Sequence, residues 1–263
     1  MGTKLKVAVL CQNDSFVIPN NIKLLTELNE IELVAVVNIK HAGSLENKKL
    51  LFLKGFGFIQ TSKLGLIAFF DKVIDFIDML FQYKLGLCKS LKSISTISKS
   101  KYLVIDNPNN KKFHKFIKVN KIDLIVSYSA PCIFYDDLLR IPPYGCINLH
   151  CSLLPKFPGQ LPSFWALFNN EREIGSTVHY MDSKIDNGMI LGQVTLKLPS
   201  PLTMFSVIKE TKAAGGRLMV DVIRNLIKGD LTPKPNHVNN DTYYTWPTLN
   251  EIHKFRSNGG RLI

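Results

Sequence analysis

No Cys-x-x-Cys pair occurs among the five cysteines Cys11, Cys88, Cys132, Cys146 and Cys151, so the spacing that builds a zinc site or a redox dithiol is missing. Their odd number also gives no closed disulfide framework, and reduced thiols are the expectation. Long apolar runs are scarce too. The most apolar stretch, Leu64 to Phe81, is interrupted by Asp71, Lys72, Asp75 and Asp78, which argues against a membrane-spanning helix. The opening MGTKLKVAVLC turns polar at QNDS after an apolar run too short for a secretory leader. Lys6 stands where a myristoylation signal carries Ser or Thr, so a cytoplasmic location is expected. Acidic residues are in deficit: 21 Asp and Glu face 33 Lys and Arg, a net +12. That excess points to an anionic partner and leaves nucleic acid, phosphorylated metabolites and anionic membrane open.

What is present is a normal globular balance, with 46% hydrophobic and 21% charged residues in 263, enough for one large core. Lys4–Leu10, Asn20–Leu28 and Ile31–Val37 read as strand, helix and strand with apolar, β-branched strands of the kind covered on both faces. Strands at Tyr102–Ile105 and Leu124–Ser127 enclose a helix over about 109–120, and later strands follow at Ile174–Met181 and Met189–Leu196. A closing helix over Thr203–Ile227 ends at Gly229. This alternation predicts an α/β fold with an open, doubly wound, mostly parallel sheet. Between the second and third strands, residues 41–101 read as a helical insertion, because Leu66, Ile67, Phe70, Val73, Ile74, Ile77, Leu80 and Phe81 recur at helical spacing. Residues 1–230 are expected to form one domain, with 231–263 as a tail packed on or beside it. The apolar face of the insertion must be buried against something, and a homodimer arm is one such use.

An open α/β sheet places ligands outside the carboxyl ends of its strands, and the densest polar segments of the chain fall there. Asn148-Leu149-His150 follows an apolar strand, so the amide and the imidazole project to one side. Asp182-Ser183-Lys184-Ile185-Asp186-Asn187-Gly188 connects two strands with two carboxylates and a turn-permitting glycine. The segments Ser127–Phe134 and Gly159–Trp165 add small and aromatic residues that suit a flat organic ligand.

Together these segments resemble the catalytic domain of the formyltransferases that use 10-formyltetrahydrofolate. The resemblance runs from about Leu103 to Gln193 and rests on NLHCSLLPKFPG, PSFWALFNNEREIGSTVHYMD and IDNGMILGQ in the family's order and approximate spacing. It implies a formyltransferase-type sheet, catalytic roles for Asn148, His150 and Asp186, and a metal-free reaction. The folate would lie against backbone groups around Cys132, Ile133 and Phe134, with Gln160 and the Asp182, Ile185 and Asp186 loop. Cys151 departs from the usual Pro or Gly, and Gln160 stands where some members carry Arg. The chemistry is consistent with those residues: an amine attacking a formamide carbon generates an oxyanion, for which Asn148 and His150 supply donors, while Asp186 takes the proton lost by the nucleophile. His179 is expected to be structural or to support that cluster from behind.

The family's acceptors include methionyl-tRNA, a purine-pathway ribonucleotide and nucleotide-linked amino sugars. The tail Asp241–Thr248 resembles the ending of formyltransferases of surface-polysaccharide pathways. Its Tyr243, Tyr244 and Trp246, with Ser152 and Lys156, are the expected contacts of a nucleotide-linked amino sugar, such as a 4-amino-4,6-dideoxyhexose for O-antigen or lipopolysaccharide. The same aromatics serve equally well to pin the tail to the core. Only Lys228–Ile263 follow the closing helix, too short for the barrel of the tRNA enzymes. A tRNA-type enzyme without that barrel is the alternative, favoured by the positive charge. A non-catalytic module whose basic insertion docks on membrane or on a pathway partner is another. Neither stable nucleic-acid binding nor a membrane span is expected.

Overall fold

A computed structural model describes residues 4–40, 45–238 and 243–263. The chain opens with β1 (Leu5–Cys11), α1 (Ile18–Thr26) and β2 (Ile31–Ile39). Three helices follow: α2 (Leu45–Phe56), α3 (Phe58–Leu80) and α4 (Leu91–Ile97). The sheet resumes with β3 (Lys101–Ile105), α5 (Lys111–Val119), β4 (Leu124–Tyr128), α6 (Asp136–Leu139) and β5 (Cys146–His150). Next come α7 (Pro162–Phe168), the strands β6 (Glu173–Tyr180) and β7 (Ile190–Lys197), the long α8 (Met204–Lys228) and α9 (Leu249–Ser257).

The seven strands lie in the order β3-β2-β1-β4-β5-β6-β7. β1 to β5 are parallel, whereas β6 and β7 run antiparallel to their neighbours. The expected doubly wound sheet is therefore present, with an antiparallel edge. Its central strands are apolar on both faces because helices cover both. Val7, Val9 and Cys11 face one way and pack with Ile18, Ile22, Leu25, Met219 and Ile223, whereas Ala8 and Leu10 face the other way with Phe113 and Ile117.

Side-chain caps fix the starts of α5 and α8. Asn110 accepts from the Phe113 amide at 2.8 Å ahead of α5, and Thr203 makes a reciprocal capping box with Ser206 ahead of α8. Gly229 ends α8 in the left-handed conformation at φ 75°.

A third cluster holds the chain's last segment. Phe56 of α2, Phe157, Phe164 and Trp165 pack with Ile252, Phe255 and Leu262. The Arg256 guanidinium donates to the Gly55 carbonyl at 2.8 Å, and the Leu262 amide to Gln60 Oε1 at 2.6 Å. The region between β2 and β3 is thus mainly helical in its described part, with a turn over 81–90 between α3 and α4, and α2 with the start of α3 braces α9. Residues 41–44 of the expected insertion, and 241–242 of the aromatic tail, lie outside the described residues.

Candidate active site

Asn148 and His150 stand two apart on β5 and so project from the same side at its carboxyl end. In the antiparallel register β5 sets Asn148 directly opposite His179 of β6. The Asn148 amide nitrogen lies 3.2 Å from His179 Nε2, while His179 Nδ1 donates to the Tyr180 carbonyl at 2.7 Å. His179 Nδ1 is thus occupied by the Tyr180 carbonyl, and Nε2 is the ring atom that faces the Asn148 amide. His150 is engaged at both nitrogens. Nε2 donates to the Phe157 carbonyl at 2.9 Å, and Nδ1 stands 3.3 Å from Asp186 Oδ2.

Asp186 arrives on the β6–β7 connection. Asp182 shapes that loop by accepting from the Lys184 amide and from Asn187 Nδ2, both at 2.9 Å. Gly188 lets it close: a Cβ there would lie 1.9 Å from the Tyr180 carbonyl oxygen. Asp186 itself adopts φ 49°, a left-handed conformation that aspartate tolerates better than most residues. Its Oδ2 accepts from the Gly159 amide at 2.8 Å, and its Oδ1 lies 3.5 Å from His179 Nε2.

Burial alone would raise the Asp186 pKa. The His150 imidazole, the contact and charge of His179, and the Gly159 amide outweigh that cost and hold the carboxyl at about 2. One carboxylate therefore sits between two imidazoles, one of which also meets a carboxamide, at the carboxyl edge of the sheet. Such a cluster can orient a ring, hold negative charge, accept a proton and present N–H groups to an oxygen.

The C-terminal segment is stitched into this site. The Tyr244 amide donates to the Pro158 carbonyl at 2.9 Å, and its carbonyl accepts from the Gln160 amide at 2.7 Å. Gly159 sits within this bridge at φ 107°, where a Cβ would be 2.3 Å from the Tyr244 carbonyl oxygen and 2.6 Å from the Tyr243 ring. Tyr243 hydrogen-bonds Gln160, and burial together with the Asp186 charge raises its phenol pKa. Asn236 Nδ2 donates to the Asp186 carbonyl at 2.8 Å and to that of Gly188 at 3.2 Å. Asn236 was invisible to sequence reasoning, because no local pattern marks an amide 50 residues from its partner. His179 touches both Asn148 and Asp186 from β6, in keeping with a supporting place behind the cluster. The sequence signal that finds it is the strand register, which sets His179 opposite Asn148.

The remaining nominated residues occupy varied places. Phe134 is buried in the core. Ile133 is exposed beside it, its carbonyl accepting from Asn109 Nδ2 at 2.8 Å. Cys132 is partly buried and packs on the same core, while Ile185 is exposed on the Asp186 loop. Ser152 is turned inward and donates to the Lys156 carbonyl at 2.6 Å. Lys156 pairs with Glu171 at 3.0 Å. Both line a cavity of about 470 Å³ with Cys151, Phe157, Asn170 and Ile174, and none of Asn148, His150 and Asp186 lines it. Tyr244 packs between Phe157 and Trp165. Trp246 lies against Phe52 of α2 with Lys48 over its ring. These two aromatics do the pinning that the sequence left open, and Tyr243 alone of the three puts its ring on the Asp186-holding turn. Among the described residues, no group of three or more His, Cys, Asp or Glu is arranged to hold a metal ion.

The mostly parallel sheet with its antiparallel edge and flanking helices is the α/β formyltransferase fold. It aligns with a glycinamide ribonucleotide transformylase from Symbiobacterium toebii at TM-score 0.63 and 15% identity, covering 90% of this chain and 96% of the other. It also aligns with the sugar 3N-formyl transferase WlaRD, solved in the presence of dTDP and 5-N-formyl-THF, at TM-score 0.59 and 15% identity over 100% of this chain and 83% of the other. In sequence, residues 91–223 match the formyl transferase family, and the chain belongs to that family. It is 35% identical over 120 residues to the methionyl-tRNA formyltransferase of Clostridium tetani, covering 46% of this chain and 39% of that protein. The chain thus spans less than half the length of that curated relative.

Proposed function

We propose that the protein transfers a formyl group from 10-formyltetrahydrofolate to the amine of a nucleotide-linked amino sugar, with Asn148, His150 and Asp186 as the catalytic residues. The observation that carries the acceptor choice is the bridge between Tyr244 and the Gly159 turn. It sets the half-exposed Tyr243 ring beside the carboxylate, where it offers a stacking face to a base or sugar. The alignment with a sugar 3N-formyl transferase covers 100% of this chain and 83% of the other, includes this tail region and supports the same reading. The exposed Ile133 at the end of β4 and the exposed Gln160 fit a flat folate ring along the sheet edge.

In this reading the acceptor amine attacks the formyl carbon, the new C–N bond forms, and the bond to the folate nitrogen breaks. The Asn148 amide donates to the developing oxyanion. His150 Nε2 exchanges the Phe157 carbonyl as its partner for that oxygen, with Asp186 holding the ring through Nδ1. Asp186 accepts the amine's proton, directly or through one water, and the departing folate nitrogen is reprotonated from the same cluster.

Methionyl-tRNA is the competing acceptor, favoured by the match to the Clostridium tetani enzyme and by the net +12 charge. A mass-spectrometric assay with 10-formyltetrahydrofolate, a panel of nucleotide-linked amino sugars and methionyl-tRNA separates the two. One formyl group gained by a sugar, and lost with Asp186→Asn, is the expected result. Formylation of methionyl-tRNA with every sugar untouched would overturn the sugar reading.

A further inference from the structure

Helix α3 is turned inside out relative to an ordinary helix of a water-soluble domain. Its two buried residues are Asp71 and Asp78. Asp71 pairs with Lys89 at 2.6 Å, and Asp78 accepts from the Leu85 and Leu87 amides at 3.1 and 2.9 Å. Asp78 thereby organises the turn that follows the helix, which explains why the acidic side faces inward. The opposite side carries Leu66, Phe69, Phe70, Val73, Phe76 and Leu80, all exposed, spaced three and four apart so that they form one stripe. Phe58 and Phe81 extend it at either end, with Phe58 75% exposed. Apolar surface of this extent marks a contact with something other than water.

The surrounding charge identifies the partner. Between residues 47 and 105 no aspartate or glutamate is exposed, whereas Lys49, Lys54, Lys63, Lys72, Lys84, Lys92, Lys99 and Lys101 all are. At about 100° per residue, Lys63 and Lys72 fall on opposite margins of the apolar stripe. A second copy of this chain laid on the stripe would bring lysines against lysines with no carboxylate to answer them. An anionic lipid surface answers both features, taking the phenylalanines into its headgroup boundary and the lysines onto its phosphates. No described helix is long and apolar enough to cross a membrane, so the helix lies in the plane of the surface.

From this we infer that α3 and the turn after it form a docking face for an anionic lipid bilayer. The face is separate from the formyl-transfer site and does not depend on which amine is formylated.

Flotation of the full chain with two kinds of vesicle tests the inference: phosphatidylcholine alone, and phosphatidylcholine mixed with an equal part of phosphatidylglycerol. Binding is expected to the anionic vesicles and to weaken as salt is added. Each of Lys63→Glu and Lys72→Glu should weaken it by at least about fivefold, and the triple variant Phe69→Ser, Phe76→Ser, Leu80→Ser should abolish it. Circular dichroism and the thermal midpoint of each variant should stay at the parent's values, because every altered side chain is exposed. Failure to bind anionic vesicles at low salt overturns the inference, as does equal binding to neutral vesicles or indifference to the lysine substitutions. A dimer in light scattering that the triple variant dissociates, without vesicle binding by the parent, assigns the face to a second copy instead.

Discussion

Asp186 Oδ2 accepts the Gly159 amide at 2.8 Å while standing 3.3 Å from His150 Nδ1. The turn after β5 and the hairpin loop after β6 are therefore locked together through one carboxylate. This relationship has consequences for both stability and catalysis.

Asp186→Asn removes the charge but keeps the shape. Formyl transfer should fall by about 100-fold to 10,000-fold, the usual contribution of a positioned acid or base, as read from kcat with saturating acceptor. Turnover within a few-fold of the parent would remove Asp186 from the reaction.

The same carboxylate should appear in the pH dependence of folding. Its folded pKa, about 2, lies below the ordinary 3.8, so the ionised form adds stability above about pH 4 and that contribution fades as pH falls toward about 2. The difference corresponds to about 2 kcal/mol. Urea unfolding of parent and Asp186→Asn at about pH 5 and about pH 2 should show the gap between them narrowing on acidification.

Asn148→Ala and His150→Ala should each lose about 100-fold to 1,000-fold in kcat, the cost of one oxyanion donor, while both remain folded. His179→Ala acts one step removed, because His179 contacts Asn148 and Asp186 and meets neither the formyl group nor the amine in the proposed scheme. A smaller loss of about tenfold, on the scale of one misplaced donor, should be rescued in part by His179→Gln, whose amide can still pair with Asn148. A His179→Ala loss as deep as that of His150→Ala would place the ring in the chemistry itself.

Asn236→Ala leaves the Asp186 and Gly188 carbonyls without their shared donor. Stability should drop by about 1 to 3 kcal/mol in thermal or urea unfolding, with kcat reduced alongside because the loop carrying Asp186 loosens. Gly159→Ala should be more severe: its φ of 107° and the 2.3 Å approach to the Tyr244 carbonyl leave a Cβ no room. Limited proteolysis near the aromatic tail should accelerate in that variant.

Ile252→Ala tests the hold on the C-terminal helix. Ile252 is fully buried between α9 and α2, so truncation should cost about 2 to 5 kcal/mol. A melting temperature unchanged by it would mean that the aromatic contacts around Phe255 hold the helix alone.

Much of this molecule was legible in one dimension. β-branched apolar strands alternating with capped helices dictated a sheet covered on both faces, and the i and i+2 spacing of Asn148 and His150 put both groups on one side of a strand. Gly229 and Thr203 announced the ends of α8 because capping is local chemistry. What spacing could not supply was decided by long-range pairing. The β5–β6 register put His179 against Asn148, the bridge at Tyr244 and the reach of Asn236 closed the site from the far end of the chain, and Trp246 went to the α2 interface. The periodicity of 66–81 specified a helix with an apolar stripe, yet which side faced the body depended on Asp71 finding Lys89 and Asp78 finding the amides of the following turn. Burying a carboxylate requires such partners, and only the folded chain brings them together, which is why the phenylalanines of α3 ended on the outside.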